Sequence, residues 1–523
     1  MVSSGHVNTV IEMPVVGNET LRDILDRRAT EDAKHVFLKF EGRDYTFGEI
    51  DKLINRLANG LLARGLQPGD RVGLMLPSHP DHVITILALA KVGLVRVPIN
   101  TAFKGASLAY PFEEFAPRAL IADTAYLEVL EEVLPQSGVE QVIWRSGGDR
   151  AFEALLESGD GSPPKVKPHA DDVTALTPSS GTTGAPKGVK KSDRNQRAGP
   201  MATLRLTGAQ PGDVFLLWES LHHSAGVGVV TAAVLQKLTL AMVEKFSASQ
   251  FWDQCRHYGV THIHYLGGVL GMLLKQAPKP DDREHKVRIA WGGGCPPEIW
   301  EVFAQRFGVQ VREGYGMSEL LTFTTINPEG PKFSIGKPLS YYDMRLVDDE
   351  GNEVGAGQAG EIQFRSRVPG LHFLGYFRND EATQGAMKGD WFCTGDLARR
   401  DEQGFYYFAG RMKDVVRRRG INISAWEVER VVGENQSVSE CALIGVPSEL
   451  GDEDLLLFVC LAEGTNLEAG ALIEWCKPRL PSFQVPRYVA FLDEFPKTPT
   501  QRIRKKDLPR TLLGVWDAEQ HSH

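Results

Sequence analysis

The first part of the chain alternates between helical and strand-like spacing of its hydrophobic positions. Thr46 and Glu49 form a capping-box pattern, in which the Thr46 hydroxyl caps a helix and Glu49 bonds back to the cap. Apolar residues then recur three or four positions apart until Gly65, which predicts an amphipathic helix that ends there. The same patterning predicts a strand at 71–76, a helix at 80–91 and a strand at 94–99. Such alternation is typical of a mainly parallel sheet covered by helices.

The pattern changes near Arg411, where a segment dense in positive charge is closed by Gly420. The residues that follow have elements of their own, with strands predicted at 438–446 and 455–461 and a helix at 468–479. We therefore predict an α/β fold with a large N-terminal domain of helix-covered mixed sheets and a small α+β C-terminal domain. The predicted boundaries are 1–411 for the N-terminal domain, 412–510 for the C-terminal domain and 511–523 for a tail.

The composition fits such a protein. Of the 523 residues, 42% are apolar and 24% are charged, which is enough for a large core divided into two or more packed units. The net charge of −9 argues against nucleic-acid binding, because such proteins usually carry a basic surplus. The six cysteines form no CxxC pair or metal-like spacing, so we interpret them as buried apolar side chains in a reducing compartment. No secretory signal and no apolar run of membrane-spanning length is visible, so we expect a cytoplasmic protein.

A loop rich in serine, threonine and glycine follows the predicted strand end at Leu176. Small hydroxyl residues and glycines let backbone amides converge on an anion, and Lys187 adds a compact positive charge for phosphate oxygens. The loop differs from the Walker sequence, which requires Ser or Thr after the lysine, because Gly188 stands there. The residues that we predict to hold phosphate are Ser179, Ser180, Gly181, Thr182, Thr183, Gly184 and Lys187.

A second glycine-rich segment, 313–319, suits a purine and its phosphates. Tyr315 stands between two glycines, so its ring faces are uncrowded and a purine can stack on them. Ser318 offers a hydroxyl to a phosphate, and Glu319 offers a carboxylate suited to Mg²⁺. Upstream, the glycines after Trp291 permit close approach of the backbone to a ligand.

These two segments, in this order, resemble the signature sequences of the adenylate-forming superfamily, which comprises acyl- and aryl-CoA ligases, adenylation domains and firefly-type luciferases. The resemblance extends from Thr20 to about Leu508. It implies an AMP-forming acid–thiol ligase that uses ATP, Mg²⁺ and coenzyme A. It also implies nucleotide contacts at Gly293, Gly294, Glu313, Gly314, Tyr315, Gly316, Met317 and Ser318. In such an enzyme a carboxylic acid and ATP give an acyl-adenylate and pyrophosphate, and the thiol then takes the acyl group. The sequence of residues 410–429 is most similar to that of the crotonobetaine/carnitine-CoA-ligase-like branch, except that Ile421 stands where that branch carries glutamate.

The resemblance also assigns roles to residues later in the chain. It implies that Asp396 accepts hydrogen bonds from both ribose hydroxyls and that Arg411 contacts the ribose or a phosphate. Lys413 lies at the superfamily's hinge, which makes the C-terminal domain mobile between the two half-reactions. In the second of these, Arg417 and Gly420 would face the site, and the basic run that begins at Arg417 could attract the phosphates of coenzyme A.

Residues 221–226 resemble the block that lines the acyl pocket, with His223 as a gate beside the carboxylate of the acid. The aspartate that amino-acid-activating relatives carry in this block is absent, which counts against an amino-acid substrate. The pocket candidates are neither strongly cationic nor aspartate-bearing, so we expect an uncharged acyl or aryl tail. These candidates are His223, Tyr265, Gly268, Gly293 and Leu320.

One departure concerns the superfamily's C-terminal Pro-Thr-Gly-Lys-Ile, whose lysine bridges the carboxylate and the α-phosphate. Here Gln501 and Arg502 replace its glycine and lysine. Arginine is longer, planar and more diffuse in charge, but it can still neutralise developing negative charge. Three interpretations stand: Arg502 substitutes for the lysine, Lys505 reaches the site instead, or adenylation is impaired. We favour the first, because Ile503 and Leu508 fix the register.

The predicted catalytic residues are Arg502, Lys187, Ser318, Glu319 and His223, with Glu319 as the metal ligand. The predicted partners are a small carboxylic acid, ATP and coenzyme A, with no nucleic acid and no membrane span. Two other functions stay open. One is a stand-alone adenylation domain that loads a carrier protein, and the other, motivated by Arg502, is a non-catalytic acyl- or nucleotide-binding relative.

Overall fold

The structure of the chain is a computed structural model that describes residues 10–148, 150–179, 187–266, 268–418, 421–448, 453–480, 482–498 and 503–520. Helices and strands are numbered here in chain order. The strands are β1 (Val36–Phe40), β2 (Arg43–Thr46), β3 (Arg71–Met75), β4 (Val95–Pro98), β5 (Ala119–Asp123), β6 (Gln141–Arg145), β7 (Val173–Pro178), β8 (Gly188–Ser192), β9 (Val214–Leu217), β10 (Thr239–Met242), β11 (His262–Leu266), β12 (Ile289–Gly293), β13 (Gln310–Tyr315), β14 (Thr325–Asn327), β15 (Lys337–Pro338), β16 (Tyr342–Val347), β17 (Ala359–Ser366), β18 (Met387–Lys388), β19 (Trp391–Arg400), β20 (Tyr406–Arg411), β21 (Val415–Arg418), β22 (Ile421–Ser424), β23 (Val438–Pro447), β24 (Glu453–Leu461), β25 (Tyr488–Phe491) and β26 (Trp516–Asp517).

The α-helices are α1 (Leu21–Glu31), α2 (Phe47–Ala63), α3 (Pro80–Lys91), α4 (Gly105–Phe115), α5 (Leu127–Glu131), α6 (Ala151–Ser158), α7 (Asp193–Thr207), α8 (Ser224–Gln236), α9 (Phe251–Tyr258), α10 (Val269–Leu274), α11 (Pro297–Phe307), α12 (Asp380–Gly385), α13 (Ala425–Gly433) and α14 (Ala469–Cys476). Of the helices in the described part of the chain, none has both the length and the apolar composition needed to cross a bilayer.

The start of α2 confirms the predicted capping box. The Thr46 hydroxyl oxygen accepts a hydrogen bond from the Glu49 amide, and the Glu49 carboxylate accepts one from the Thr46 amide at 2.9 Å. The helix ends at Ala63, two residues before Gly65, whose φ of +87° suits glycine. The predicted helix at 80–91 is observed as α3, and the strands predicted on either side of it are β3 and β4.

The chain divides into two compact units. Unit 1 comprises Met1–Asp343 and Arg365–Phe392, and unit 2 comprises Met344–Phe364 and Cys393–His523. The domain boundaries that we predict, 1–411, 412–510 and 511–523, stay a prediction.

Unit 1 contains two mixed sheets. The six-stranded sheet has the order β6-β5-β3-β4-β7-β8, in which β8 is antiparallel to β7 and the other pairs are parallel. The nine-stranded sheet has the order β15-β14-β13-β12-β11-β9-β10-β1-β2 and is parallel from β13 to β1. Strands such as β4 and β5 are buried along their whole length, as expected for parallel strands covered on both faces. The predicted helix-covered mixed sheets are confirmed.

Unit 2 is α+β. It holds the larger parts of β16, β17 and β19, together with β20, which pairs with β19. It also contains the β21–β22 hairpin and a four-stranded sheet of order β23-β24-β25-β26. One face of that sheet packs with residues of α13 and α14 in a single apolar cluster. The strands and the helix that were predicted in this part of the chain are observed as β23, β24 and α14.

Candidate active site

The predicted phosphate loop connects the antiparallel strands β7 and β8, and both of its ends are pinned. The Ser179 amide donates to the Lys187 carbonyl at 2.8 Å, and the Lys187 amide donates to Ser179 Oγ at 3.2 Å. The antiparallel ladder therefore brings the first and the last residue of the loop together. The intervening candidates lie outside the described residues; they are Ser180, Gly181, Thr182, Thr183 and Gly184.

A tyrosine links the lysine of this loop to the predicted metal ligand. Lys187 Nζ lies 4.9 Å from the centre of the Tyr376 ring, and the Tyr376 hydroxyl donates to Glu319 Oε1 at 3.0 Å. An isolated bridge between Val189 and Tyr376 fixes the tyrosine beside β8. Burial, and then the nearby charge of Glu319, raises the pKa of Tyr376, which keeps its hydroxyl a donor. The structure thus brings Lys187 and Glu319 into one site through a residue that sequence patterning did not single out.

We expect Tyr376→Phe to lower the rate of pyrophosphate release at limiting Mg·ATP about 10-fold, because Glu319 loses a hydrogen bond that orients its carboxylate. The concentration of Mg²⁺ needed for half-maximal activity should rise. Tyr407→Phe is the matched control, since it removes a similar hydroxyl-to-carboxylate bond, to Asp401, within unit 2. Equal activity of wild type and Tyr376→Phe across a Mg²⁺ titration would contradict the proposed role.

The carboxyl ends of the neighbouring strands β12 and β13 form the next part of the site. Glu313 Oε1 accepts hydrogen bonds from the Gly294 amide at 2.7 Å and from the Cys295 amide at 3.1 Å. Gly294 has a φ of +80°, so the turn after β12 needs glycine there. Glu313 thus braces the turn that contains two predicted nucleotide contacts. Burial raises the pKa of Glu313 to about 7, although the two amide donors oppose the shift.

Glu313 should therefore make the stability of the protein depend on pH. Its pKa is about 7 in the folded chain against 4.5 when exposed, so the folded state binds the extra proton between these values. The stabilisation is complete below pH 4.5 and is lost as the pH rises to 7. We expect Glu313→Gln to remove this dependence. Between pH 4.5 and 7, the free energy of unfolding of the wild type should fall by about 3 kcal/mol relative to that of the variant. Denaturant titrations of both proteins between pH 4.5 and 8 measure this difference in the free energy of unfolding. Parallel plots of unfolding free energy against pH for the two proteins would refute the prediction.

The segment after Glu313 turns tightly before β14. The Met317 amide donates to the Leu321 carbonyl at 3.0 Å, and the Thr324 amide donates to the Tyr315 carbonyl at 2.7 Å. A side chain at Gly316 would place its Cβ only 2.3 Å from a carbonyl oxygen of this turn, so the turn excludes larger residues. Tyr315 is mostly buried, whereas Ser318 and Glu319 are half-buried at the tip of the turn. The remaining predicted contacts of the segment, Gly314 and Met317, lie on either side of Tyr315 and Gly316.

Two further buried groups support this region and were missed from the sequence. Lys191, on β8, donates to the Leu320 carbonyl; burial lowers the pKa of this lysine to about 8, and Glu319 counteracts part of the shift. Glu219, after β9, lies 2.5 Å from His264 Nδ1 on β11, and both side chains are buried. No local pattern marks these residues, because their partners are distant in the sequence.

The predicted acyl-pocket histidine begins a helix. His223 is the N-cap residue of α8, and its ring centre lies 4.3 Å from that of His222. Of the other pocket candidates, Tyr265 is fully buried in the apolar core and its hydroxyl donates to the Arg312 carbonyl at 3.1 Å. Tyr265 therefore does not line an open pocket. Leu320 is also buried, while Gly268 is exposed and Gly293 is half-buried.

In unit 2 the structure pairs the two predicted ribose contacts. Asp396 on β19 lies opposite Arg411 on β20, with Arg411 Nε 3.3 Å from Asp396 Oδ1. The Asp396 amide donates to Thr394 Oγ1 at 3.1 Å, which fixes the backbone at the carboxylate. The predicted hinge residue, Lys413, lies in a short 3₁₀ turn directly after β20. The side chains of Lys413 and Arg417 lie outside the described part of the chain, as do residues Gly420 and Arg502.

The alternative lysine, Lys505, is engaged elsewhere in unit 2. Its Nζ lies 2.7 Å from Glu429 Oε1 and 3.9 Å from Asp414 Oδ2. Glu429 also accepts a hydrogen bond from the Leu443 amide at 2.6 Å. Burial raises the pKa of Glu429, and the Lys505 ammonium counteracts the shift. Lys505 therefore serves as the counter-charge of a carboxylate within its own unit.

Comparison with known proteins identifies the family. Residues 25–377 match the AMP-binding enzyme family, and residues 427–502 match the AMP-binding enzyme C-terminal domain. Crotonobetaine/carnitine–CoA ligase of Proteus mirabilis is 28% identical over 517 residues, which cover 95% of this chain and 100% of the relative.

Among solved structures, the anthranilate CoA ligase AuaEII in complex with anthranoyl-AMP aligns with a TM-score of 0.85 at 25% identity, over 93% of this chain and 96% of that chain. ATP-bound MatB from Rhodopseudomonas palustris aligns with a TM-score of 0.85 at 24% identity, over 94% of this chain and 98% of that chain, which shows the shared fold. The chain therefore belongs to the AMP-binding enzymes of the adenylate-forming superfamily and is an AMP-forming ligase.

Proposed function

We propose that this chain is a carboxylic acid–CoA ligase that first forms an acyl-adenylate and then an acyl-CoA. The observation that best supports the proposal is the group formed by Lys187, Tyr376 and Glu319 at the end of the phosphate loop. Such a group offers one positive charge and one carboxylate to a nucleoside triphosphate. The CoA ligases among its relatives and structural neighbours support the choice of acceptor.

In the first half-reaction, a carboxylate oxygen of the acid attacks the α-phosphorus of ATP. The bond from that phosphorus to the bridging oxygen breaks, and pyrophosphate leaves with its electron pair. The enzyme contributes positioning and charge neutralisation. We assign charge neutralisation to Lys187 and Arg502, phosphate contact to Ser318, and purine stacking to Tyr315. His223 lies beside the acid carboxylate in this proposal.

Glu319 would hold Mg²⁺ together with phosphate oxygens of the nucleotide. Mg²⁺ typically takes one or two protein carboxylates and completes its shell with phosphates and water. Among the described residues, no group of three or more His, Cys, Asp or Glu side chains is arranged to hold a metal by itself. A single half-buried carboxylate that is oriented by Tyr376 fits this mode of binding. When bound, the ion neutralises charge on the phosphate oxygens.

In the second half-reaction, the sulfur of coenzyme A attacks the acyl carbon. The bond from that carbon to the AMP oxygen breaks, AMP leaves, and the thiol proton passes to solvent. We propose that Lys413 is the hinge at which residues 412–510 change their position between the half-reactions, with Arg417 and Gly420 acting in the second. Asp396 and Arg411 would hold the ribose.

A pyrophosphate-release screen over a panel of carboxylic acids, with and without coenzyme A, tests the proposal. We expect release with at least one acid, and formation of acyl-CoA when coenzyme A is present. Release without transfer to coenzyme A, but with transfer to a phosphopantetheine-bearing carrier protein, would identify a carrier-loading enzyme instead. ATP binding without release for any acid would identify a non-catalytic relative.

A further inference from the structure

Arg96 is a buried arginine in the middle of the six-stranded sheet. It lies on β4, in register with Val72 of β3 and with Ala175 of β7, the strand that leads into the phosphate loop. Its neighbours Val95 and Val97 pack into an apolar cluster on one face of the sheet, so strand alternation places Arg96 on the other face. Only 3% of Arg96 is exposed, and its Nη1 has no hydrogen-bond partner among the described residues.

A buried guanidinium with no carboxylate beside it among the described residues is unusual, because burying a charge is costly unless it is paired. Two other buried cations of the described chain lie beside carboxylates. Lys91 lies 2.6 Å from Asp26 and 2.5 Å from Asp51, and Arg197 lies 2.5 Å from Asp193. Within the described part of the chain, no carboxylate forms an ion pair with Arg96, and burial alone lowers the pKa of Arg96, to about 10.

Two histidines, His82 and His222, lie near enough to Arg96 for its charge to lower their pKa values. His82 on α3 is buried; its Nδ1 lies 3.2 Å from the Pro77 carbonyl oxygen, and its Nε2 has no partner among the described residues. Burial lowers the pKa of His82 and that of His222 to about 3, and Arg96 contributes to both shifts. Both rings are therefore neutral near pH 7. The cluster of Arg96, His82 and His222 carries a single net positive charge.

This cluster adjoins the acyl site. The His222 ring is in contact with the ring of His223, at 4.3 Å between centres, and His223 is the residue that we place beside the reacting carboxylate. The proposal below requires the substrate to extend from His223 past His222 toward Arg96. A carboxylate matches the single positive charge at the far end and can take two parallel hydrogen bonds from a guanidinium, whereas a phosphate dianion would leave a buried negative charge.

We propose that Arg96 binds a second carboxylate at the far end of the acid, so that the substrate is a dicarboxylic acid. This inference rests on the proposed function and specifies its substrate class. It replaces our sequence-based expectation of an uncharged acyl or aryl tail, because the burial of Arg96 could not be seen in the sequence. An acid whose tail carries a positive charge would be repelled by the same group.

Pyrophosphate release should be measured with a series of α,ω-dicarboxylic acids, from malonic to adipic acid, and with monocarboxylic acids of matched length. We expect the wild type to prefer one diacid over its matched monoacid. Arg96→Met should lower kcat/KM for that diacid about 10- to 100-fold and leave the monoacid value equal or higher. Arg288→Met, which changes a half-exposed arginine paired with Asp213, is the control that should keep the wild-type preference.

Thermal unfolding gives a second measurement. Arg96→Met removes a buried charge that has no carboxylate partner in the described structure, so the Tm of the unliganded variant should equal or exceed that of the wild type. The preferred diacid should raise the Tm of the wild type but not of the variant.

Three outcomes would overturn the inference. The first is a wild type that accepts monoacids at least as well as every diacid. The second is an equal loss of kcat/KM for monoacids and diacids in Arg96→Met. The third is an Arg96-dependent rise in Tm with inorganic phosphate or chloride, without a preference for diacids. The last would assign the cluster to a free anion. A wild type that releases no pyrophosphate with any acid would instead refute the proposed function itself.

Discussion

Replacing Lys187 with alanine is expected to slow acyl-adenylate formation about 100- to 1,000-fold, the usual loss when one charge-stabilising contact to a transition state is removed. The lysine is the last residue of the phosphate loop, and its backbone is fixed to Ser179 by two hydrogen bonds. Its ammonium lies over the ring of Tyr376, which is in turn bonded to Glu319. A positive charge held at this point can follow the phosphate oxygens as negative charge moves onto the leaving pyrophosphate.

The half-reactions should separate this role from a general loss of structure. Lys187→Ala should slow pyrophosphate release, while transfer of the acyl group from a supplied acyl-adenylate to coenzyme A should change far less. Lys190→Ala is the control for removal of a neighbouring lysine, because Lys190 lies on β8, which begins one residue after Lys187. An unchanged rate of pyrophosphate release in Lys187→Ala, or an equal loss in Lys190→Ala, would remove Lys187 from the proposed mechanism.

The fold could be predicted from the sequence wherever local chemistry determines the element. The capping box at Thr46 and Glu49 involves residues three positions apart, and α2 begins where it predicts. Helix α3 has the predicted bounds because Pro80 can start a helix but not continue one, and its N-cap His79 supplies the first acceptor. The division of the chain into units was harder to see, because unit 2 includes the distant segment Met344–Phe364.

The sequence marks the loops of the candidate site but not the residues that support them. Glycine-rich segments show in the sequence where backbone must approach a ligand, and β12 and β13 do end side by side. Tyr376, however, reaches Glu319 across 57 positions, and nothing in its own segment indicates that contact. Arg96 stands in a short apolar strand, where the sequence shows a charge but not that the described residues offer it no carboxylate. Such features arise from packing between elements, and one sequence carries no direct record of that packing.

Arginine at position 502 is expected to perform the task of the superfamily's lysine, so Arg502→Ala should lower the rate of pyrophosphate release about 100- to 1,000-fold. Arg502→Lys should preserve or raise that rate, because lysine concentrates its charge at one point. Acyl transfer from a supplied acyl-adenylate to coenzyme A should be much less affected in both variants. The Tm should remain near that of the wild type, since the prediction concerns a contact made with the reacting groups.

Lys505 provides the contrasting result. Its ammonium lies 2.7 Å from Glu429, so Lys505→Ala leaves that carboxylate without its cation and should destabilise unit 2 by about 1–3 kcal/mol. The loss should appear as a lower Tm, and pyrophosphate release measured well below that Tm should stay within a few-fold of the wild type. Lys505→Arg should restore the Tm, because it returns the counter-charge. If Lys505→Ala abolishes pyrophosphate release while Arg502→Ala leaves it intact, the second interpretation of the substituted motif is correct and Arg502 has no role in adenylation.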